Sequence, residues 1–309
     1  MMEIRGPSAS TERALRAAGL DPADVARVLA TAFGEDFAHG GDVTSDATVP
    51  AEQRSRALVA SRAAGCLAGV TVAAAAFEAL HPAVSTEIRM PDSARVAPGD
   101  VVLVVDGPTR ALLGAERTAL NLLCHLSGVA TATRRWADAL EGTGARVRDT
   151  RKTLPGLRAL QKYAVRCGGG TNHRMSLGDA ALVKDNHVVA AGGVAEAFRR
   201  VRDSRPDLVI EVEVDTVAQF REVLAAGADL VLLDNMPLAT LRECVEIAAA
   251  HRRDTGRPVL LEASGGLSIE RAREVGDTGV DFLSVGALTH SAAVLDLGVD
   301  LQPLPPSAT

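Results

Sequence analysis

Residues 208–235 read LVIEVEVDTVAQFREVLAAGADLVLLDN, and this stretch decides the fold. An apolar run at Leu208–Asp215 is followed by a helical segment at Thr216–Ala226 and then by a second apolar run at Leu230–Asp234. Apolar runs without in-strand alternation, joined by a helix, indicate parallel strands that are buried on both faces of a sheet.

The same pattern extends through the second half of the chain. Two folds have this strand–helix order, a doubly wound sheet and a (β/α) barrel. We favour the barrel, because barrels place their working residues at the carboxyl ends of several strands and because no GxGxxG follows the first strand. Since only six strands are expected, the barrel should be incomplete and TIM-like. The six predicted strands are Arg146–Asp149, Ala181–Lys184, Leu208–Asp215, Leu230–Asp234, Val259–Ser264 and Phe282–Gly286.

The first half of the chain predicts a smaller α+β sandwich domain. Strand-like runs at 57–60, 84–90 and 101–106 surround a helix at 70–80, after the loop GGDVTSDATVP at 40–50. A long helix is expected from Thr109 to Leu140, interrupted near Ser127–Gly128. We therefore expect an α/β protein with an N-terminal sandwich domain (1–116), joined by a C-terminal tail (291–309) that ends in proline-rich coil, and a barrel domain (117–290).

Composition excludes several classes of function. The 309 residues are 47% hydrophobic and 23% charged with a net charge of −6, which indicates a globular protein without the basic field of nucleic-acid binders. No apolar run reaches the ~20 residues of a membrane span, and the N-terminus has no signal-peptide core. The four cysteines form no CxxC pair, which predicts free thiols in the cytoplasm.

Residues 149–187 carry the densest cluster of cations. Only three of the 33 basic residues are lysines, and all three lie between Lys152 and Lys184. Arginine forks suit carboxylates, whereas lysines suit phosphates as point charges. Arg151, Lys152, Arg174 and Lys184 flank strand ends or glycines, so we interpret them as anion ligands.

Acidic residues and glycines complete the candidate site. Glu211, Glu213 and Asp215 alternate on one strand, and Asp234 ends the next, which suits Mg²⁺ or sugar hydroxyls. EASGGLS (262–268) and LSVGALTHSA (283–292) each pass from a strand through small residues to a helix, as in phosphate-binding turns after the last strands of barrels.

These motifs closely resemble the quinolinate phosphoribosyltransferase family. The resemblance runs from about residue 40 to residue 292, and its motifs include GDVTSD, ERTALNLLCHLSGVAT, DTRKTLPGLRALQKYAV, GGGTNHRMSLGDAALVKDNH, EVEVD, LLDNM, EASGG and SVGALTHSA. It implies transfer of a phosphoribosyl group from phosphoribosyl pyrophosphate to quinolinate with loss of CO2, in NAD synthesis. It also implies Mg²⁺ and a homodimer or a dimer-based hexamer.

The resemblance also implies a role for each matching residue. Lys152, Lys184, Glu213 and Asp234 would be catalytic, and Glu213 and Asp234 would face Mg²⁺ bound mainly through phosphoribosyl pyrophosphate. Arg117, offered by the neighbouring subunit, would bind quinolinate together with Thr150, Arg151, Lys152, His173 and Arg174. Phosphoribosyl pyrophosphate would be bound by Lys184, Glu213, Asp234, Ser264, Gly265, Gly266, Val285, Gly286, Ala287 and His290.

Three other interpretations remain open at this point. Lys184 could be the Schiff-base nucleophile of an aldolase or decarboxylase barrel. The barrel could be a regulatory module that binds anions without catalysis. A related phosphoribosyltransferase could act on another aromatic carboxylate.

Overall fold

The computed structural model describes residues 4–304. The strands are β1 (Arg54–Ser61), β2 (Gly65–Cys66), β3 (Ser85–Ile88), β4 (Arg95–Val96), β5 (Val101–Pro108), β6 (Arg146–Arg148), β7 (Ala181–Val183), β8 (Ile210–Val214), β9 (Leu230–Asp234), β10 (Leu260–Ser264), β11 (Phe282–Ser284) and β12 (Leu297–Pro303). The helices are α1 (Ala9–Ala17), α2 (Pro22–Asp36), α3 (Val43–Thr48), α4 (Val70–Glu78), α5 (Thr109–Ala139), α6 (Arg158–Cys167), α7 (Asp185–Ala191), α8 (Val194–Ser204), α9 (Val217–Ala226), α10 (Leu238–Thr255), α11 (Ala272–Gly276) and α12 (Ala287–His290), with a 3-10 turn at Ile269–Arg271.

The chain forms two compact units that alternate along the sequence. The first comprises the described residues up to 134, residues 154–169 and those from 291 onward. The second comprises residues 135–153 and 170–290. The boundary predicted between residues 116 and 117 lies inside α5, and the division into the domains 1–116 and 117–290 stays a prediction.

The first unit contains an antiparallel sheet with the strand order β12-β1-β5-β3. The predicted tail is therefore not coil throughout: Leu297–Pro303 pairs with β1, because an open sheet edge offers its backbone groups to any extended segment. A short two-stranded sheet, β2-β4, is also present.

Two further sequence expectations in this unit were wrong. The stretch predicted as the loop 40–50 contains α3, since the Asp42 carboxylate accepts hydrogen bonds from the backbone N–H groups of Thr44 and Ser45 and so caps a helix. Helix α5 is not interrupted at Gly128. A Cβ there would overlap the backbone of Ala293, so the glycine allows close packing inside a continuous helix.

The second unit contains six parallel strands in the order β6-β11-β10-β9-β8-β7. This is the cyclic order of a barrel opened between β6 and β7, and Thr171 forms a parallel bridge with Arg148 beside the open edge. Leu230–Leu233 are all buried, as expected for a strand covered on both faces. The prediction of an N-terminal α+β unit followed by an incomplete barrel is confirmed.

Local signals set the ends of the elements in the decisive stretch. The Thr216 hydroxyl accepts from the Gln219 N–H, and the Gln219 side chain bonds back to the Thr216 N–H, forming a capping box that begins α9. The helix ends at Gly227, whose φ of 99° favours glycine. Among residues 4–304, no helix has the length and apolarity required to cross a membrane.

Candidate active site

A cavity of about 730 Å³ opens at the carboxyl ends of the barrel strands, entirely within the second unit. Every residue to which the family resemblance assigns a role lines it, except Arg117, whereas the candidates Glu211 and Asp215 do not. The lining residues with such a role are Thr150, Arg151, Lys152, His173, Arg174, Lys184, Glu213, Asp234, Ser264, Gly265, Gly266, Val285, Gly286, Ala287 and His290. Arg117 lies on α5 in the first unit, and its role across a subunit interface stays a prediction.

Each strand of the barrel contributes to the cavity at its carboxyl end. Residues 150–152 follow β6, Lys184 follows β7, and Glu213 lies near the end of β8. Asp234 and Ser264 are the last residues of β9 and β10. Parallel strands bring their carboxyl ends to one edge of a sheet, which explains why residues more than 100 positions apart meet here.

One wall of the cavity carries an ion pair. Lys184 Nζ lies 3.4 Å from Glu213 Oε2, and the Lys184 side chain is 47% exposed while that of Glu213 is 13% exposed. Lys184 precedes α7, and its backbone N–H donates to His187 Nδ1 at 3.0 Å. The ion pair therefore holds the Lys184 side chain at the mouth of the site.

Arg151 and Arg174 form the cationic part of the cavity. Burial, and next the like charge of Arg151, lowers the pKa of the Arg174 guanidinium. The Arg174 side chain is oriented by a hydrogen bond from Nη1 to the Ala180 carbonyl at 3.0 Å. Two partly desolvated guanidinium groups repel each other, and a bound anion relieves that repulsion, so this region suits a carboxylate.

The segment before Arg174 is fixed by a buried aspartate. Asp149 is 0% exposed, its Oδ1 accepts the His173 backbone N–H at 2.8 Å, and its Oδ2 accepts Asn172 Nδ2 at 2.5 Å. His173 Nδ1 in turn accepts the Arg174 backbone N–H at 2.7 Å. Asp149, at the end of the first predicted barrel strand, thus supports the segment that carries His173 and Arg174 and does not itself line the cavity.

A charged network lies below the cavity. Arg148 Nη1 is 2.5 Å from Glu262 Oε2 and 4.0 Å from Glu211 Oε1, while His173 Nε2 is 2.7 Å from Glu211 Oε2. Ser284 donates a short hydrogen bond to Glu262. Burial raises the pKa of both glutamates, since the charged carboxylates lose water.

Among the described residues, His173, Glu211 and Glu262 could supply ligand atoms to one metal ion. The Arg148 guanidinium already brings a positive charge to this point, so the group is occupied by an internal ion pair. Glu213 and Asp234 are the carboxylates that face the cavity. They are the ones available to a cation that enters with a ligand.

Two turns of small residues form another part of the cavity wall. Gly265 and Gly266 have φ values of 87° and 56°, which favour glycine. A Cβ at Gly286 would lie 2.9 Å from Lys152 Cδ and 3.3 Å from His290 Nε2. Close approach of backbone amides without side chains is what phosphate binding requires.

Several residues of the site escaped the sequence prediction. Glu262, Arg148 and Ser284 form the network below, and Asn235 lines the cavity. Glu262 lies two residues before Ser264 and therefore points to the same face of the strand. This alternation is the sequence signal that could have identified Glu262. Asp215, which alternates with Glu213, is exposed beyond the end of β8 and does not line the cavity.

The site combines paired guanidinium groups, a lysine–carboxylate pair and glycine turns at one end of a parallel barrel. This combination defines a small-molecule enzyme site for polyanions that include a phosphate.

Comparisons with known proteins identify the family. Residues 42–127 and 129–300 match the family models for the N-terminal and C-terminal domains of quinolinate phosphoribosyl transferase. The chain belongs to the quinolinate phosphoribosyltransferase family, which confirms the resemblance in sequence.

Individual relatives agree with this assignment. The chain is 50% identical over 282 residues to nicotinate-nucleotide pyrophosphorylase [carboxylating] of Mycobacterium leprae, covering 90% of this chain and 98% of that protein. It is 40% identical over 262 residues to the probable enzyme of that name from Bacillus subtilis, covering 84% and 88%. The crystal structure of NadC from Streptococcus pyogenes superposes with a TM-score of 0.87 at 36% identity, covering 93% of this chain and 99% of that chain.

Proposed function

We propose that this protein transfers the phosphoribosyl group of phosphoribosyl pyrophosphate to the ring nitrogen of quinolinate and releases pyrophosphate and CO2, giving nicotinate mononucleotide for NAD synthesis. The observation that carries the proposal is the convergence of two guanidinium groups, a lysine–glutamate pair and two glycine turns in one cavity of about 730 Å³. A flat dicarboxylate and a sugar phosphate need these three kinds of group side by side.

Quinolinate binding is assigned to the cationic region. Arg151 and Arg174 bind the two carboxylates, aided by Thr150, Lys152 and His173, which line the same cavity. The His173 ring accepts the Arg174 backbone N–H, and the Ala180 carbonyl accepts from Arg174 Nη1, so the guanidinium is oriented before the substrate arrives. This preorganisation lowers the entropy cost of aligning the ring nitrogen with the ribose.

Ribose transfer is assigned to the carboxylates. Departure of pyrophosphate builds positive charge at the anomeric carbon, as in glycoside transfer. Glu213 and Asp234 line the cavity at adjacent strand ends, and their charges stabilise that carbon. The 5-phosphate is bound by the turns at Ser264–Gly266 and Val285–Ala287, with His290 beside them.

The leaving group is balanced by cations. Lys152 and Lys184 line the cavity and neutralise the departing pyrophosphate. The oxygen donors of Glu213 and Asp234 fit Mg²⁺, which favours carboxylates combined with substrate phosphates. When bound, Mg²⁺ supplies further neutralisation of the pyrophosphate.

Decarboxylation requires no additional base. Attachment to ribose makes the pyridine nitrogen cationic. When the bond to the 2-carboxylate breaks, CO2 leaves, the electron pair stays on C2 beside that positive charge, and C2 then takes a proton from water. In this chain, Arg151 and Arg174 hold the quinolinate carboxylates while the ring changes charge.

The Schiff-base alternative is disfavoured by the ion pair of Lys184. A Schiff-base lysine must present a free nitrogen to a carbonyl, but Lys184 Nζ is engaged in an ion pair with Glu213 Oε2 at 3.4 Å. The proposal extends to a homodimer, or a hexamer built from dimers, in which Arg117 completes the quinolinate site of the neighbouring subunit. It also extends to the cytoplasm, which suits the four free cysteines.

One assay tests the proposal. Purified protein is mixed with Mg²⁺, phosphoribosyl pyrophosphate and quinolinate labelled with ¹³C in the 2-carboxylate, and ¹³CO2, pyrophosphate and nicotinate mononucleotide are quantified. Equal amounts of the three products are expected. Binding of both substrates without pyrophosphate release would indicate the regulatory module, and turnover with another aromatic carboxylate alone would indicate the related transferase. Trapping of Lys184 by borohydride with a keto acid would indicate the aldolase.

A further inference from the structure

Asn235, which follows β9, has an unusual backbone conformation. Its φ is 52°, and among residues 4–304 only Ser93, with φ 73°, is another non-glycine residue in this region. Asparagine adopts the left-handed conformation at lower cost than most side chains, because its short amide bonds locally. The sequence therefore places a strained but tolerated residue directly after the carboxylate of Asp234.

The side chain and backbone of Asn235 join two parts of the site. Its Nδ2 donates to Asp234 Oδ2 at 2.7 Å, and its backbone N–H donates to the Ser264 carbonyl at 2.9 Å. The first bond restrains the Asp234 carboxylate against rotation. The second joins the end of β9 to the end of β10, where the glycine turn begins.

The Asn235 amide also fills the space beside Gly265. A Cβ on Gly265 would overlap Oδ1, Cγ and Nδ2 of Asn235. The conformation of the glycine turn and the position of the Asn235 side chain are thus fixed by the same contact. Neither can change without displacing the other.

Asn235 also lines two neighbouring cavities. One is the site of about 730 Å³, and the other is a cavity of about 400 Å³ whose wall includes Met236, Leu238 and Leu241. The Gly265–Gly266 turn lines both cavities as well, so the contact between Asn235 and this turn lies where they meet.

We infer that Asn235 is a positioning residue that aims the Asp234 carboxylate and seats the Gly265–Gly266 turn for the ribose phosphate half of the substrate. The inference rests on the proposed function, in which Asp234 and this turn bind phosphoribosyl pyrophosphate. It assigns no contact between Asn235 and quinolinate. Its loss should therefore affect one substrate and not the other.

Two substitutions separate the amide from the backbone. Asn235→Gly keeps the positive φ and the backbone bond to Ser264 but removes the amide. Asn235→Asp keeps the size and the φ, but its carboxylate repels Asp234 where the amide donated to it. Each should raise the KM for phosphoribosyl pyrophosphate about tenfold, the usual effect of losing a hydrogen bond to a charged group, and leave the Kd for quinolinate within about twofold. Ser93→Gly relieves the same kind of backbone strain in the other unit and should behave as wild type.

The outcomes are distinguishable. If wild-type protein does not consume phosphoribosyl pyrophosphate, the proposed function fails. If wild type is active and both Asn235 variants match its KM, the positioning role is overturned. It is also overturned if the variants bind both substrates more weakly by the same factor. If the glycine variant does not fold, Asn235→Asp alone decides between these outcomes.

A double mutant tests the contact with the turn. Gly265→Ala should cost less affinity for phosphoribosyl pyrophosphate in the Asn235→Gly background than in wild type, because the overlapping amide is gone. Equal costs in both backgrounds would refute the shared seating of the two residues.

Discussion

Replacing Arg148 by methionine should destabilise the second unit by leaving a buried carboxylate without its partner. Arg148 Nη1 lies 2.5 Å from Glu262 Oε2, and the Glu262 side chain is 0% exposed. The guanidinium carbon lies 4.7 Å from the centre of the Phe282 ring, and methionine keeps an unbranched stem against that ring. The variant therefore removes the charge with little loss of packing.

The size of the destabilisation follows from what the Glu262 carboxylate does when Arg148 is absent. Burial raises its pKa above the ordinary 4.5, and without Arg148 the carboxyl takes up a proton. Protonating at pH 7 a group that ordinarily titrates at 4.5 costs about 3.4 kcal/mol, at 1.36 kcal/mol per unit. This agrees with the roughly 3–5 kcal/mol lost when one partner of a buried pair is removed.

The same argument fixes the pH dependence. The folded variant holds a proton that the unfolded chain releases above pH 4.5, so the stability deficit relative to wild type grows as the pH rises above that value. Between pH 5.5 and 7 it should grow by about 2 kcal/mol.

Denaturant unfolding followed by the fluorescence of Trp136 measures this deficit. Trp136 is the single tryptophan of the chain, is buried, and belongs to the second unit. Arg56→Met, which breaks the exposed pair with Asp106 in the first unit, is the control and should show no such pH trend in this signal. A pH-independent deficit for Arg148→Met would refute the reasoning, because it would mean that Glu262 is already protonated in wild type.

Three further predictions concern the proposed substrates. Arg174→Ala should weaken quinolinate binding roughly tenfold or more and phosphoribosyl pyrophosphate binding far less, and equal losses by titration calorimetry would contradict its role. Lys184→Arg should lower kcat, because a planar fork cannot replace the point charge 3.4 Å from Glu213, and steady-state turnover at the wild-type rate would count against this. Gly286→Ala brings a Cβ within 2.9 Å of Lys152 Cδ and should raise the KM for phosphoribosyl pyrophosphate about tenfold. Gly178→Ala, which has open space around it, is the matched control, and a similar KM for both variants would disprove the steric argument.

The barrel was predictable because its signals are local. All six predicted strands are present. The signal is clearest in β9, where an apolar run buried on both faces ends in an aspartate. The position of the cavity was predictable from the parallel strands. Once the strands are parallel, Lys184, Glu213, Asp234 and Ser264 must lie at one edge.

The network below the cavity was not predictable from spacing. Arg148 and Glu262 are 114 residues apart, and their pairing depends on which strands become neighbours of β11. The C-terminal strand β12 was missed for a related reason, because its partner β1 begins at Arg54 and a tail rich in proline carries little strand signal of its own. Asn235 gave no pattern at all, since its role depends on a backbone angle.

The sheet order of the first unit has a consequence for synthesis. Strand β1 is flanked by β5 and β12, and β12 is the last strand of the described chain. While the polypeptide is still emerging from the ribosome, β1 therefore presents an unpaired edge until almost every other element has been made. An exposed edge of this kind attracts other nascent strands. A chaperone that shields this edge should therefore raise the yield of native protein. Without the chaperone, the yield should fall most for chains that stop before Leu297, because they lack β12.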